Sequence, residues 1–107
     1  MNIGIFGGTF DPPHVGHLIV AQDAALALGL DRILFVPASN PPHKRAVTIT
    51  RGRVRARMLE LAIAGDARFA MDTLELERRG ASYTVDTLRD LAARDPGTRW
   101  TFLMGAD

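Results

Sequence analysis

His14 and His17 stand three residues apart with Gly16 between them, and they follow the run Gly7-Gly8-Thr9-Phe10-Asp11-Pro12-Pro13. Imidazole donates hydrogen bonds to phosphate oxygens and, when protonated, adds positive charge. Residues three apart at a helix start share one side, so both rings can face one phosphate chain. Two adjacent glycines let backbone N–H groups approach an anion closely, and the helix dipole adds positive potential there. The spacing is neither the dinucleotide fingerprint nor the P-loop. A lone histidine here would be read as a cap or as sheet packing; two of them after a Gly-Gly turn point to an anion site. With His43 the pair could offer three nitrogens to zinc. No carboxylates stand clearly behind the rings to orient them, so no metal site is expected.

Two further clusters bear on the same chemistry. Pro41-Pro42-His43-Lys44-Arg45 puts a cationic tip on a loop stiffened by proline. Alone it reads as solvated loop; beside the first motif it reads as positive charge over incoming anions. Ser82-Tyr83-Thr84 opens a helical pattern. Its hydroxyls can cap that helix, and its free N–H groups can receive a carboxylate. Arg51, Arg53, Arg55 and Arg57 crowd another helix start, where their charge opposes the dipole. They read as a solvated face, and Arg55 is given no role.

These residues need a scaffold that presents loops along one edge. Asn2 to Phe6 reads as a buried strand interrupted by Gly7 and Gly8. Leu18, Ala21, Ala25 and Leu28 step by three and four, which predicts a helix over 15–28 closed by Gly29. A second strand follows at Arg32 to Val36. A second helix is expected behind Thr50 as its cap, with Val54, Met58, Leu61 and Ala62 inward and Gly65 as its stop. Arg68 to Asp72 reads as a third strand and Glu75 to Ser82 as irregular. A third helix runs from Thr84 to Arg94, with Val85, Leu88, Leu91 and Ala92 inward. Asp95-Pro96-Gly97 turns the chain into a fourth strand, Arg99 to Met104. Strand and helix alternate with no hairpin signal, the mark of an α/β fold with a parallel sheet and helices on both faces. No helix follows the fourth strand, although parallel sheets are normally covered on both faces. The expectation is a single domain over 1–107, truncated after that strand, with exposed apolar surface beside Trp100 to Met104.

Composition narrows the function classes. The chain has 107 residues, enough for one small core. Its net charge of +1 gives no basic field for nucleic acid, so no nucleic-acid partner is expected. With no cysteine, disulfides and thiolate metal sites are excluded. The first residues lack the basic and apolar regions of a signal peptide, and no run approaches the roughly 18 apolar residues of a membrane helix. A cytoplasmic protein with no membrane contact is expected.

Gly-Gly-Thr-Phe-Asp-Pro-Pro-His-Val-Gly-His, at 7–17, resembles the signature of the HxGH nucleotidyltransferase superfamily. That resemblance implies a Rossmann-like fold. It also implies direct attack of a substrate phosphate on the α-phosphorus of ATP, pyrophosphate leaving with no covalent enzyme intermediate. Pro-Pro-His-Lys at 41–44 and Arg-Gly-Ala-Ser-Tyr-Thr at 79–84 are similar to segments of nicotinate-nucleotide adenylyltransferases. The resemblance thus implies ATP and nicotinate mononucleotide as substrates, with Mg2+ accompanying ATP. It assigns His14, His17, His43 and Lys44 to catalysis, and Gly7, Gly8, Thr9, Phe10, His14 and His17 to ATP. Gly105-Ala106-Asp107 matches the Gly-x-Asp that ends the fourth strand in the family, which adds Gly105 and Asp107 to the ATP site. Lys44, Ser82, Tyr83 and Thr84 would hold the pyridine nucleotide. Family members continue with a pyridine-stacking aromatic segment and a phosphate-gripping arginine motif. Their absence keeps a non-catalytic nucleotide-binding fragment open as an alternative. Phosphopantetheine adenylyltransferase shares the first motif but not the other two.

Overall fold

Apolar residues on consecutive positions of Ile3 to Phe6 and Ile33 to Val36 leave neither face of a strand polar, and both segments become central strands. In the computed structural model, which describes residues 1–39, 50–78 and 83–103, β1 (Asn2–Gly8) lies between β2 (Arg32–Pro37) and β4 (Arg99–Leu103). β3 (Phe69–Met71) pairs with the far side of β2, giving the order β3-β2-β1-β4 with every pairing parallel. The expected α/β, Rossmann-like sheet is present.

Helices cover both faces, and the period-two alternation of the strands shows which. Phe6, Ile33 and Phe35 pack with Ala21 and Ala25 of α1 (Val15–Leu28) and with Leu59 and Ile63 of α2 (Gly52–Ile63). Ile5 and Val36 face the other way, onto Leu74 of α3 (Leu74–Glu77) and Leu91 of α4 (Thr84–Arg94). Fully burying such side chains is worth about 1.5–3 kcal/mol each. Gly4 lets the two layers close: a Cβ there would stand 2.7 Å from Leu30 Cδ1.

The helix limits 15–28 and 84–94 are as the sequence predicts, and Gly29 takes the left-handed conformation (φ 64°) that ends α1. Four local expectations change. Gly7 and Gly8 do not interrupt β1; they pair with Val36 and Pro37, so the turn begins at Thr9. Thr50 does not cap α2, because its N–H and carbonyl are engaged by Asp11 and Arg55, and Arg51 is the N-cap without a side-chain bond. The inward face of α2 is Arg55, Ala56, Leu59 and Ile63, one step from the expected stripe, leaving Val54 and Leu61 exposed. The start of the segment expected to be irregular, Glu75 to Glu77, joins Leu74 in the single turn α3; Asp72 starts it by accepting the Leu74 N–H at 2.9 Å.

In α4, Thr87 and Leu91 are buried and Val85 is exposed. Along β4 the expected apolar surface is carried by Phe102, 36% exposed, while Trp100 and Leu103 pack partly against the two cores. Among the described residues no helix is long and apolar enough to cross a membrane.

Candidate functional site

The chain steps from β1 to β2 to β3 in one direction, then crosses back to place β4 on the other side of β1. Loops at the carboxyl ends of β1 and β4 therefore flank the point where strand order reverses, the usual ligand crevice of open α/β sheets. The β1–α1 loop leaves β1 at that point.

Its geometry is built around the two histidines. His14 is the N-cap of α1 in extended conformation (φ −141°, ψ 172°), and its Nδ1 accepts the Gly16 N–H at 3.1 Å. His17 Nδ1 accepts the His14 N–H, also at 3.1 Å. The rings stack with centroids 3.9 Å apart. An accepting Nδ1 carries no proton, so each neutral imidazole holds its proton on Nε2. The cap thereby occupies Nδ1 of both rings, so that His14 and His17 carry their protons on Nε2. Gly16 permits this, since a Cβ there would lie 2.8 Å from His14 Cε1. Capping and site roles are thus compatible, because each uses a different ring nitrogen.

Behind the histidines stands an aromatic wall. Phe10 is buried and takes a positive φ of 50°, a conformation that costs a non-glycine residue about 1–3 kcal/mol. Its ring packs edge-on against Phe6, Phe35 and His17, with centroids 5.7, 5.8 and 5.0 Å away. Gly8 leaves room for it: a Cβ would meet the Phe10 ring at 3.2 Å. At Gly7 the nearest atoms of the described residues to such a Cβ are 3.8 Å and 3.9 Å away, ordinary contact distances. Among the described residues nothing therefore demands glycine at position 7.

Arg55, which sequence reasoning left on a solvated face, is 1% exposed. Its Nε donates to the Thr50 carbonyl (2.8 Å), and its Nη1 donates to those of Thr9 (3.0 Å) and Ala38 (2.7 Å). Burial pulls its pKa below the usual arginine value and the charge of Asp11 opposes that shift; the group stays a cation. Asp11, also unremarked in the sequence, accepts the Thr50 N–H at 2.9 Å. That backbone bond, then the Thr50 side chain, and last the charge of Arg55 hold its carboxyl below the usual aspartate value. The Ala38 N–H also donates to the Gly8 carbonyl at 2.8 Å. The available signal was the line Arg55, Leu59, Ile63 at steps of four.

Among the other sequence-predicted residues, Tyr83 is the N-cap of α4 in extended conformation and makes no side-chain cap bond; Tyr83 and Thr84 are exposed. His43, Lys44, Ser82, Gly105 and Asp107 lie outside the described residues. Among the described residues no three His, Asp or Glu side chains gather as a metal cluster. A cavity of about 150 Å3 lies at the opposite ends of the central strands, lined in part by Ile3, Arg32, Leu91 and Trp100; none of the predicted site residues borders it.

The stacked histidine pair stands at the switch point of a parallel α/β sheet. The chain belongs to the cytidylyltransferase-like family, which it matches over residues 5–107. A relative from Geobacillus thermodenitrificans, named "Probable nicotinate-nucleotide adenylyltransferase", is 56% identical over 105 residues, covering 98% of this chain and 49% of the relative. A protein of the same name from Shouchella clausii is 49% identical over 105 residues, 98% of this chain and 55% of its own. The chain thus spans about half the length of these curated relatives. Among solved structures, Plasmodium falciparum nicotinic acid mononucleotide adenylyltransferase complexed with NaAD superposes with a TM-score of 0.76 at 21% identity, over 94% of this chain and 50% of that one. The same enzyme complexed with APC gives a TM-score of 0.72 at 20% identity, over 94% and 49%. These structural matches establish the shared fold.

Proposed function

We propose that this chain forms the ATP-binding part of a nicotinate-nucleotide adenylyltransferase. The observation that carries the reading is the His14–His17 pair, whose Nδ1 atoms are both used by the helix start. The Nε2–H groups of the pair are assigned to donate to phosphate. The names of the 56% and 49% identical relatives supply the acceptor, nicotinate mononucleotide.

In the proposed reaction a phosphate oxygen of nicotinate mononucleotide attacks the α-phosphorus of ATP. A new P–O bond forms, the bond from Pα to the bridging oxygen breaks, and pyrophosphate leaves with that electron pair. Such a displacement needs positioning and charge neutralisation, with no protein nucleophile. His14 and His17 donate to the phosphates. Gly7, with Gly8, Thr9 and Phe10 behind it, offers a backbone edge that ATP can approach closely; this supplies the reason for glycine that the fold does not. His43 and Lys44 are assigned to neutralising the reacting phosphates, and Gly105 and Asp107 to the ATP side next to β1. Ser82, Tyr83 and Thr84, with Lys44, are assigned to the pyridine nucleotide, its carboxylate at the start of α4. Mg2+ enters bound to the ATP phosphates as part of the substrate. It prefers oxygen ligands, and the two imidazoles offer only nitrogen. A cytoplasmic reaction belongs to the same proposal.

The test uses a protein of the relatives' full length that carries this chain, assayed for pyrophosphate release. Release that requires both ATP and nicotinate mononucleotide, with phosphopantetheine inert, is expected. Release with phosphopantetheine, or none with nicotinate mononucleotide, would overturn the assignment.

A further inference from the structure

Arg55 touches three chain segments that are far apart in sequence and that all border the same loop. Thr9 lies where the β1–α1 loop leaves the sheet. Ala38 follows β2, and Thr50 precedes α2. Their three carbonyls converge on one buried guanidinium. Asp11 closes the arrangement from the solvent side, tying the loop to Thr50 through the Thr50 N–H. The residue between Thr9 and Asp11 is Phe10, whose positive φ must be held against its intrinsic preference and whose ring is the wall for His17.

From this geometry we propose that Arg55 is a positioning residue for the phosphate-binding loop. By fixing the Thr9 carbonyl it holds the bend at Phe10, and through the Phe10 ring it sets the placement of His17 and hence of the stacked pair. The same side chain fixes Ala38 and Thr50, the two ends of the connection that contains His43 and Lys44. One cation thereby registers both connections against each other. A planar guanidinium suits this task because its N–H groups diverge in a fixed fork, whereas an ammonium is a point charge on a flexible stem. The inference rests on the nucleotide-binding reading of the β1–α1 loop, and the experiment separates the two.

The full 107-residue chain is compared with its Arg55→Lys variant by residue-resolved amide hydrogen exchange and by ATP titration. Four amides report on the loops: His14 and Gly16, bonded to the imidazoles, Ala38, bonded to Gly8, and Thr50, bonded to Asp11. Asp31 and Arg99, bonded to Asn2 and Met1 at the far ends of the strands, are the references. Exchange at the four reporters should accelerate roughly 10-fold to 100-fold, the equivalent of about one hydrogen bond to a charged donor, with the references unchanged. ATP affinity should fall in parallel. Unchanged reporters, or equal acceleration at reporters and references, would overturn the positioning role. Should Arg55→Lys fail to fold, Asp11→Ala alters an exposed side chain and removes the solvent-side tie. With Arg55 still holding the Thr9 carbonyl, acceleration confined to Thr50 supports the proposal, and faster exchange at His14 and Gly16 as well would show that the loop depends on Asp11 and overturns it. Wild-type chain that does not bind ATP, with reporters that respond as described, would sink the nucleotide reading and leave the positioning role standing.

Discussion

Two helix starts are assigned to substrate, and they are built differently. At α1 nearly every polar atom has a local partner: His14 caps, His17 returns the bond, and Gly16 makes room for both. Phe10 backs the pair, and Arg55 anchors the loop from beneath. At α4 the N-cap Tyr83 contributes no side-chain bond, and Tyr83, Thr84 and Val85 are exposed. Its side-chain interactions lie further along, where Thr87 Oγ1 donates to Glu75 (2.6 Å) and Arg78 pairs with Asp90 (2.6 Å). The first site is preorganised before any ligand arrives, which is what transition-state stabilisation of a phosphoryl group requires. The second is a helix start to which the N-cap Tyr83 adds no side-chain bond; in the proposed reading it recognises a substrate feature remote from the bond being broken.

The contrast is broken most directly at His17. In an active protein of the relatives' length, His17→Ala should reduce adenylyl transfer on the order of 100-fold to 1,000-fold, the usual cost of one transition-state charge contact. Near wild-type turnover with unchanged circular dichroism would show that the prebuilt donors are only a cap.

Gly16→Ala sharpens the same point without touching a donor. The new Cβ competes with the His14 ring, 2.8 Å away, so the ring must swing off the helix start. Loss of the cap should destabilise the fold by about 1 kcal/mol, and turnover should fall roughly 10-fold as one donor leaves its place, a cost near that of one hydrogen bond. Melting temperature and kcat measured together decide the matter. A stability loss with full activity would separate the cap from the site.

Much of this contrast was legible in the sequence, and the part that was not has physical causes. The limits of α1 and α4 follow from apolar spacing and from Gly29, and the parallel sheet follows from alternating strand and helix. The paired histidines of the β1–α1 loop announced themselves by type and spacing. Arg55 did not, because a hydropathy pattern counts arginine as outside. The apolar residues Val54 and Leu61 then pulled the inward stripe of α2 one step from its true line. A buried arginine becomes readable only when three carbonyls from distant segments are seen to meet it. Gly7 and Gly8 misled in the opposite way: their pairing with β2 is a non-local fact that outweighs glycine's weak strand preference. α3 was hidden because its start is set by a side-chain bond from Asp72 rather than by a helical repeat.

A smaller effect is expected at α4. Nicotinate mononucleotide should be the better acceptor than nicotinamide mononucleotide, since an open helix start favours a carboxylate over a neutral amide. Thr84→Ala should narrow that preference about 3-fold, within the 0.3–1 kcal/mol typical of exposed helix-terminus interactions. Equal specificity constants in the wild type, or no response to Thr84→Ala, would move recognition away from this helix start.

The smallest expected effect concerns the tie that separates the anchored loop from the open helix start. Asp11 accepts the Thr50 N–H, and its carboxyl is held below the usual aspartate value first by that bond. A carboxylate whose folded pKa is depressed contributes stability above its unfolded pKa, and that contribution is lost as pH falls through the folded value. The tie should therefore be complete at neutral pH, persist through pH 4, and release only below the unperturbed aspartate value of 3.8. Because Asp11 is exposed to solvent, the release should register locally and barely move the melting temperature. The Thr50 amide proton shift, followed by NMR against pH, gives the midpoint, and in Asp11→Asn the transition should vanish, since the amide accepts the bond at any pH. A midpoint at or above 3.8 would mean that the bond does not hold the carboxylate in solution, and the β1–α1 loop would then hang on the buried Arg55 with no tie on its solvent side.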